Sequence, residues 1–150
     1  IYYLFLSVGY FLGNMYVSKS RGRLSATTMM TRGLGLQFVF AVIALVLALM
    51  GYVDPIYVFA AQFPLCIGQG LALPNIMARG VGLAPGYTGV ASSVMGFGQI
   101  ALSALCLQLM SFAPVDSWIP ILVFCVVVAA IAWVAALLLQ RATEPQTQIS

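Results

Sequence analysis

The chain has almost no charge. Of its 150 residues, six are Lys or Arg and three are Asp or Glu, 6% in all, where a soluble domain carries roughly 25%. Apolar residues make up 63%. So little polar surface cannot cover a globule of this size, which excludes water as the main solvent. A soluble enzyme, a nucleic-acid binder and a secreted disulfide scaffold are excluded with it. Histidine is absent, so His-ligated metal sites and Ser-His or Cys-His nucleophile pairs cannot be built. The three cysteines, Cys66, Cys106 and Cys125, fall inside apolar runs with no CxxC spacing, and they read as small buried hydrophobes. No metal and no cofactor is expected. Without His or embedded carboxylates no catalytic pair can be assembled, so the chain is not read as an enzyme. It begins at Ile1, directly in an apolar run with no basic stretch before it, which reads as a segment of a longer protein with no signal peptide.

What is present is a set of five apolar segments, at about residues 1–17, 33–52, 56–78, 89–112 and 118–140. At ~1.5 Å rise per residue, each of the last four is long enough to cross a hydrocarbon core of ~30 Å. The runs lack the alternation of barrel strands, and backbone groups must be satisfied within lipid, so the segments are helices. The expected fold class is an all-α membrane protein. A tail, 141–150, follows as a solvated and disordered cytoplasmic end.

The connections sort by charge. Lys19, Arg21, Arg23 and Arg32 lie between the first two segments, Arg79 follows the third and Arg141 the fifth, while the other two connections hold Asp54 and Asp116 and no base. With five spans, alternate connections share a side, so all six bases share one face. The positive-inside rule makes that face cytoplasmic and puts the N-terminus of the segment outside. Asp54-Pro55 and residues 113–117 mark short outer turns, and Trp118 stands where an interfacial aromatic belongs. The inner connection, 79–89, is rich in Gly and Pro and reads as a short ordered loop.

Polar residues are spread unevenly. The second and fifth segments are nearly all apolar, apart from Gln37, Cys125 and Trp133, so they are expected to face lipid over most of their circumference. The third carries Gln62, Pro64, Gly68, Gln69, Gly70, Pro74 and Asn75, and the fourth Ser92, Ser93, Gly96, Gly98, Gln99 and Ser103. Those two are expected inside a bundle or against a water-filled path. Gln62 and Gln69 project from one helix face. Ser92, Gly96, Gln99, Ser103 and Cys106 form one small-and-polar stripe, which fits either close helix packing or a substrate path. For the glutamines a cavity is the preferred reading, and Gln62, Gln69, Asn75, Gln99 and Ser103 are the substrate-path candidates. Pro64, with Gly68 and Gly70 below it, has the makings of a kink or a local unwinding, either a static packing feature or part of a binding site. Gly9 and Gly13 form a GxxxG pair that brings a neighbouring helix close. No acid or base lies deep inside any span, so a coupling group is not expected in this segment.

This arrangement resembles the C-terminal half of a major facilitator transporter. The resemblance rests on Gly9-x-x-x-Gly13-Asn14 before a basic loop, an all-apolar helix after it, and Pro74-Asn75 ending the third helix. It is most similar to the Bcr/CflA-type drug-resistance transporters, in the Pro74-Asn75 pair and the stretch Gly89-Val-Ala-Ser-Ser-Val-Met-Gly-Phe-Gly-Gln99. The resemblance implies helices eight to twelve of a twelve-helix bundle. Nine and twelve would be peripheral, ten would line the central cavity, and eight and eleven would meet the missing N-terminal half. It also implies a bacterial inner-membrane exporter of drug-like or lipophilic small molecules, working by proton antiport with alternating access. The loop around Lys19-Ser20-Arg21-Gly22-Arg23 looks like a degraded copy of the superfamily's inner-loop motif without its Asp, so topology charge is the safer reading of those bases. Two alternatives remain open: the same fold carrying a specific metabolite, or a non-transporting five-helix membrane scaffold.

Overall fold

The computed structural model describes residues 2–20, 24–52, 54–112 and 119–143. These form five helices: α1 (Tyr2–Ser20), α2 (Ala26–Leu49), α3 (Pro55–Gly82), α4 (Thr88–Met110) and α5 (Ile119–Thr143). Among the described residues there is no extended strand. Three stretches, Ala26–Leu49, Thr88–Met110 and Ile119–Ala142, are long and apolar enough to cross a membrane. α1 and α3 carry more small and polar residues, and their membrane span stays an expectation. Arg21, Arg23, Asp116, the turn at 113–117, Trp118 and most of the tail lie outside the described residues.

Local chemistry explains the ends. Ser25 caps α2, its hydroxyl accepting from the Thr28 amide at 3.1 Å, which satisfies one of the donors every helix start leaves open. α2 closes in a Schellman arrangement: the Tyr52 amide donates to the Leu47 carbonyl at 3.0 Å and the Gly51 amide to Ala48 at 3.1 Å. Gly51 sits at φ 87°, where a side chain is strained. Asp54 then caps α3 through the Ile56 amide at 3.2 Å, with Pro55 opening the first turn.

Two boundaries correct the sequence reading. α2 starts seven residues before the expected position 33, so Arg32 lies on a helix rather than in a loop. α3 continues through Arg79 and Gly80 to Gly82, into what was expected to be loop. Lys19 likewise belongs to α1. The bases therefore extend helix ends, where long side chains reach polar surroundings while their stems cover apolar surface. Nor does α3 unwind: helix runs without interruption through Pro64 and Pro74. One missing donor does not break a long helix whose flanks are packed by neighbours.

α3 is the centre of the assembly. Its contacts with α2 run in opposite order, Thr27 to Arg79, Met29 to Asn75, Gly33 to Gly68 and Tyr52 to Tyr57, so the two are antiparallel. With α1 the order is the same, Phe5 to Phe63 and Gly13 to Gly70, so those two are parallel. α5 runs against α2, with Trp133 on Phe38 and Leu122 beside Ala44 and Ala48. Met95 of α4 lies on Gly80 of α3. Lys19, Arg32, Arg79 and Arg141 consequently share one end of the bundle, and Asp54 marks the other.

Glycine sets the spacing. A Cβ added at Gly68 would stand 2.6 Å from the Gly33 carbonyl oxygen, and one at Gly33 would stand 2.6 Å from that of Gly68. Two residues on, roughly 200° around the helix, Gly70 makes the same reciprocal approach to Gly13 and the Tyr10 carbonyl of α1. Gly9 faces the Phe63 carbonyl at 2.9 Å by the same measure. The GxxxG pair is thus a packing surface for α3, as small residues in membrane helices allow. Gly96 has no such neighbour: an added Cβ there meets nothing within 4 Å.

The helices differ from expectation in which are covered. α2, expected to be largely lipid-facing, is held between α3 and α5 and contains buried Met29, Met30, Ala41, Ala44 and Ala48. Its alanines and Gly33 and Gly35 are apolar because they pack, not because they meet lipid. α4 has no buried residue. Replacing Gly68 or Gly70 with Leu is expected to lower stability by about 1–3 kcal/mol through overpacking, read as an earlier unfolding transition in mixed detergent. Gly82→Ala, where nothing lies within 4 Å, should leave the transition in place. Equal transitions for all three variants would contradict the spacing role.

Candidate functional site

Below the glycine contacts, one face of α3 stays uncovered. Gln62, Leu65, Cys66 and Gln69 repeat at helical spacing and line a cleft of about 410 Å³. α2 contributes Gln37, Ala41 and Ala44 at the same spacing, α5 contributes Leu122, Cys125, Val128, Ala129 and Ala132 among others, and α4 contributes Cys106. Alanine on two walls keeps the helices near while leaving volume between them. A small extension past Ala44 and Gln62 leads toward Tyr52 and Tyr57 at the end marked by Asp54. A second cleft of about 310 Å³, lined by Leu6, Ser7, Tyr10, Cys66 and Gln69, opens between α1 and α3. Cys66 and Gln69 line both.

The site has no charged side chain among its lining residues. Its polar groups are three carboxamides, each able to donate and accept. Among the described residues none of the three is hydrogen-bonded to a neighbour. Gln62 and Gln69 are exposed and Gln37 is half-buried, and among the described residues no buried side-chain nitrogen or oxygen lacks a partner. Shape and chemistry together suit an uncharged or weakly polar molecule of small organic size, held by apolar contact and oriented by one or two hydrogen bonds.

The substrate-path candidates separate. Gln62 and Gln69 share the cleft, as their spacing implies. Asn75 does not line it: its amide donates to the Leu71 carbonyl at 2.7 Å and lies 4.0 Å from the Met29 sulfur of α2. It serves the α2–α3 contact. Gln99 and Ser103 do not line the cleft either; both are exposed on α4, where the Ser103 hydroxyl donates to the Gln99 carbonyl at 2.8 Å. Ser92 and Ser93 bond back to the Gly89 carbonyl at 2.9 Å in the same way. Hydroxyls spent on their own helix are neutral passengers of an apolar segment.

Sequence reasoning missed two contributions. Gln37 was visible as the lone amide of an apolar helix, but its role depends on α2 packing beside α3. The convergence of the three cysteines could not be read from spacing at all, since each sits on a different helix. Among the described residues no three His, Cys, Asp or Glu side chains gather as ligands for one metal ion. At the basic end, Arg79 donates to the hydroxyl of buried Thr27, whose carbonyl accepts from Thr31 at 3.0 Å. That base is fixed to α2 and set well away from the cleft.

No family model, curated protein or solved structure matches the chain. Function is therefore argued from the site. If the cleft is open to entering molecules, Ala132→Trp should fill it and slow maleimide labelling of Cys125 about tenfold or more, a barrier change of about 1.4 kcal/mol. Labelling at the wild-type rate would show that Cys125 is reached by another route.

Proposed function

We propose that the chain is the C-terminal part of a secondary active transporter of the major facilitator type, resembling the Bcr/CflA drug-resistance group, and that it exports lipophilic small molecules by alternating access. The observation that carries this reading is the uncharged cleft with three unspent carboxamides beside the central helix. Apolar walls take varied lipophilic bodies, and amides, which donate and accept alike, orient them without demanding one charge. α3, helix ten of that fold, is the helix the cleft is built on.

Two further features support it. α4 has no buried residue, as befits a helix whose partner is the N-terminal half of the same transporter. The described bases share one end of the bundle, which in a bacterial inner membrane is the cytoplasmic end. In this reading all five helices span. Proton coupling belongs to the N-terminal half, because the cleft holds no ionisable acid or base. This part shapes the path and catalyses no covalent chemistry.

Deleting the complete protein should raise cellular accumulation of a lipophilic dye such as ethidium; unchanged accumulation across a broad dye panel would sink the export reading. Gln69→Leu should shift relative export among dyes about 2- to 10-fold, the worth of one hydrogen bond, while expression stays level. A uniform loss for every dye would point to folding instead. Cysteine placed at Lys19 should react with a membrane-impermeant maleimide only in inverted vesicles, and cysteine at Asp54 only in intact cells. The opposite pattern would reverse the orientation.

A further inference from the structure

Toward the end marked by Asp54 the cleft narrows. From about 410 Å³ it passes to a space of about 20 Å³ that shares Ala44, Gln62 and Leu122 with it. Leu47, Ala48, Tyr52 and Tyr57 line that space as well. Its size suits one water, which needs roughly 10–15 Å³. The two tyrosines meet edge to face, with ring centroids 5.4 Å apart and an interplanar angle of 69°, an arrangement aromatic rings prefer. The turn between α2 and α3 sets them there. The Tyr52 amide donates to the Leu47 carbonyl at 3.0 Å as α2 closes, and the Tyr57 amide to the Asp54 carbonyl at 3.0 Å as α3 opens. Both side chains are half-exposed, so each borders the small space on one side and the surroundings on the other. A tyrosine that only marks a membrane interface needs neither a partner ring nor a cavity behind it; these two have both.

We propose that Tyr52 and Tyr57 form an aromatic sieve at this end of the cleft, which passes water-sized solutes and excludes organic molecules while the rings are in contact. The rings exclude by their bulk, and the phenol hydroxyls are not needed for it. Gln62 lines both the cleft and the small space behind the rings, so its carboxamide is hydrated through the sieve. The sieve rests on the geometry of the cleft, whether or not the protein is an exporter.

Cys125 is the reporter, because it lines the cleft one helical turn beyond Leu122. The complete protein in native membranes is treated with trimethylammonium-ethyl methanethiosulfonate, whose fixed charge keeps it out of lipid. The reagent is applied from whichever side labels Asp54→Cys, so the result does not depend on the orientation of the chain. Labelling of Cys125, read by mass mapping, should be far slower than that of Asp54→Cys. Tyr52→Ala and Tyr57→Ala should each speed it about tenfold, the rate equivalent of one lost aromatic contact. Tyr52→Phe and Tyr57→Phe should keep the slow rate, as should Tyr87→Ala in the connection between α3 and α4. Should the alanine variants fail to fold, the unaltered protein still decides: silver ion, near water in size, should block Cys125 from the same side. Labelling of unaltered Cys125 as fast as Asp54→Cys would overturn the sieve. So would folded alanine variants that keep the slow rate, phenylalanine variants that lose it, or silver that leaves Cys125 free.

Discussion

The close approach of α3 to both neighbours through glycine is the constraint on which the rest depends. Gly68 meets Gly33 of α2 and Gly70 meets Gly13 of α1, backbone against backbone. In lipid there is no hydrophobic force between helices, so such contacts, with van der Waals packing and a few interhelical hydrogen bonds, carry association. Fixing α3 on two sides leaves a third side free, and that side holds Gln62, Cys66 and Gln69. Aromatic stacking sets the outer flanks: Phe5 on Phe63 at 4.3 Å and Phe38 on Trp133 at 5.2 Å, each pair adding about 0.5–1.5 kcal/mol. Trp133 also closes on Gly35, so α5 is seated by one large side chain against a glycine. The cleft is what remains between a helix held by glycines and a helix held by tryptophan.

Much of this was legible in the sequence. Five apolar segments became five helices, since helix formation follows from apolar length and turn chemistry, both local. Asp54-Pro55 opened α3 as its residue types dictate. Gln62 and Gln69 share a face because seven residues make nearly two turns. What failed was non-local. The span starting near 33 was too short because the turn after Arg23 looks like loop by charge and polarity, yet Ser25 caps a helix there whose Thr27 and Met29 meet Arg79 and Asn75 of α3. Apolar content was a poor guide to lipid exposure: α2 is covered on two sides, by α3 and α5, while the serines of α4 bond back to their own helix. Asn75 and Gln69, alike in sequence terms, part company through rotation about one axis, which decides that one meets Met29 and the other the cleft. The bases at 21 and 23 and the turn before α5 lie outside the described residues.

The proposed transport function uses these parts in a particular way. An exporter of varied lipophiles needs volume, apolar walls and hydrogen-bonding groups that are not already engaged. Alanine at positions 41, 44, 129 and 132 supplies the volume. Three glutamines supply polarity without charge. Gln69 and Cys66 border both clefts.

The most direct measurement is the rate at which Cys66 reacts with a permeant maleimide in native membranes, with and without an exported dye. Cys66 borders both clefts, so a molecule held at Gln69 must cover it. The account predicts that saturating dye slows labelling of Cys66 and leaves a cysteine introduced at Gly82 unaffected. Undiminished labelling of Cys66 while the same dye is being exported would contradict it, because the path would then lie elsewhere.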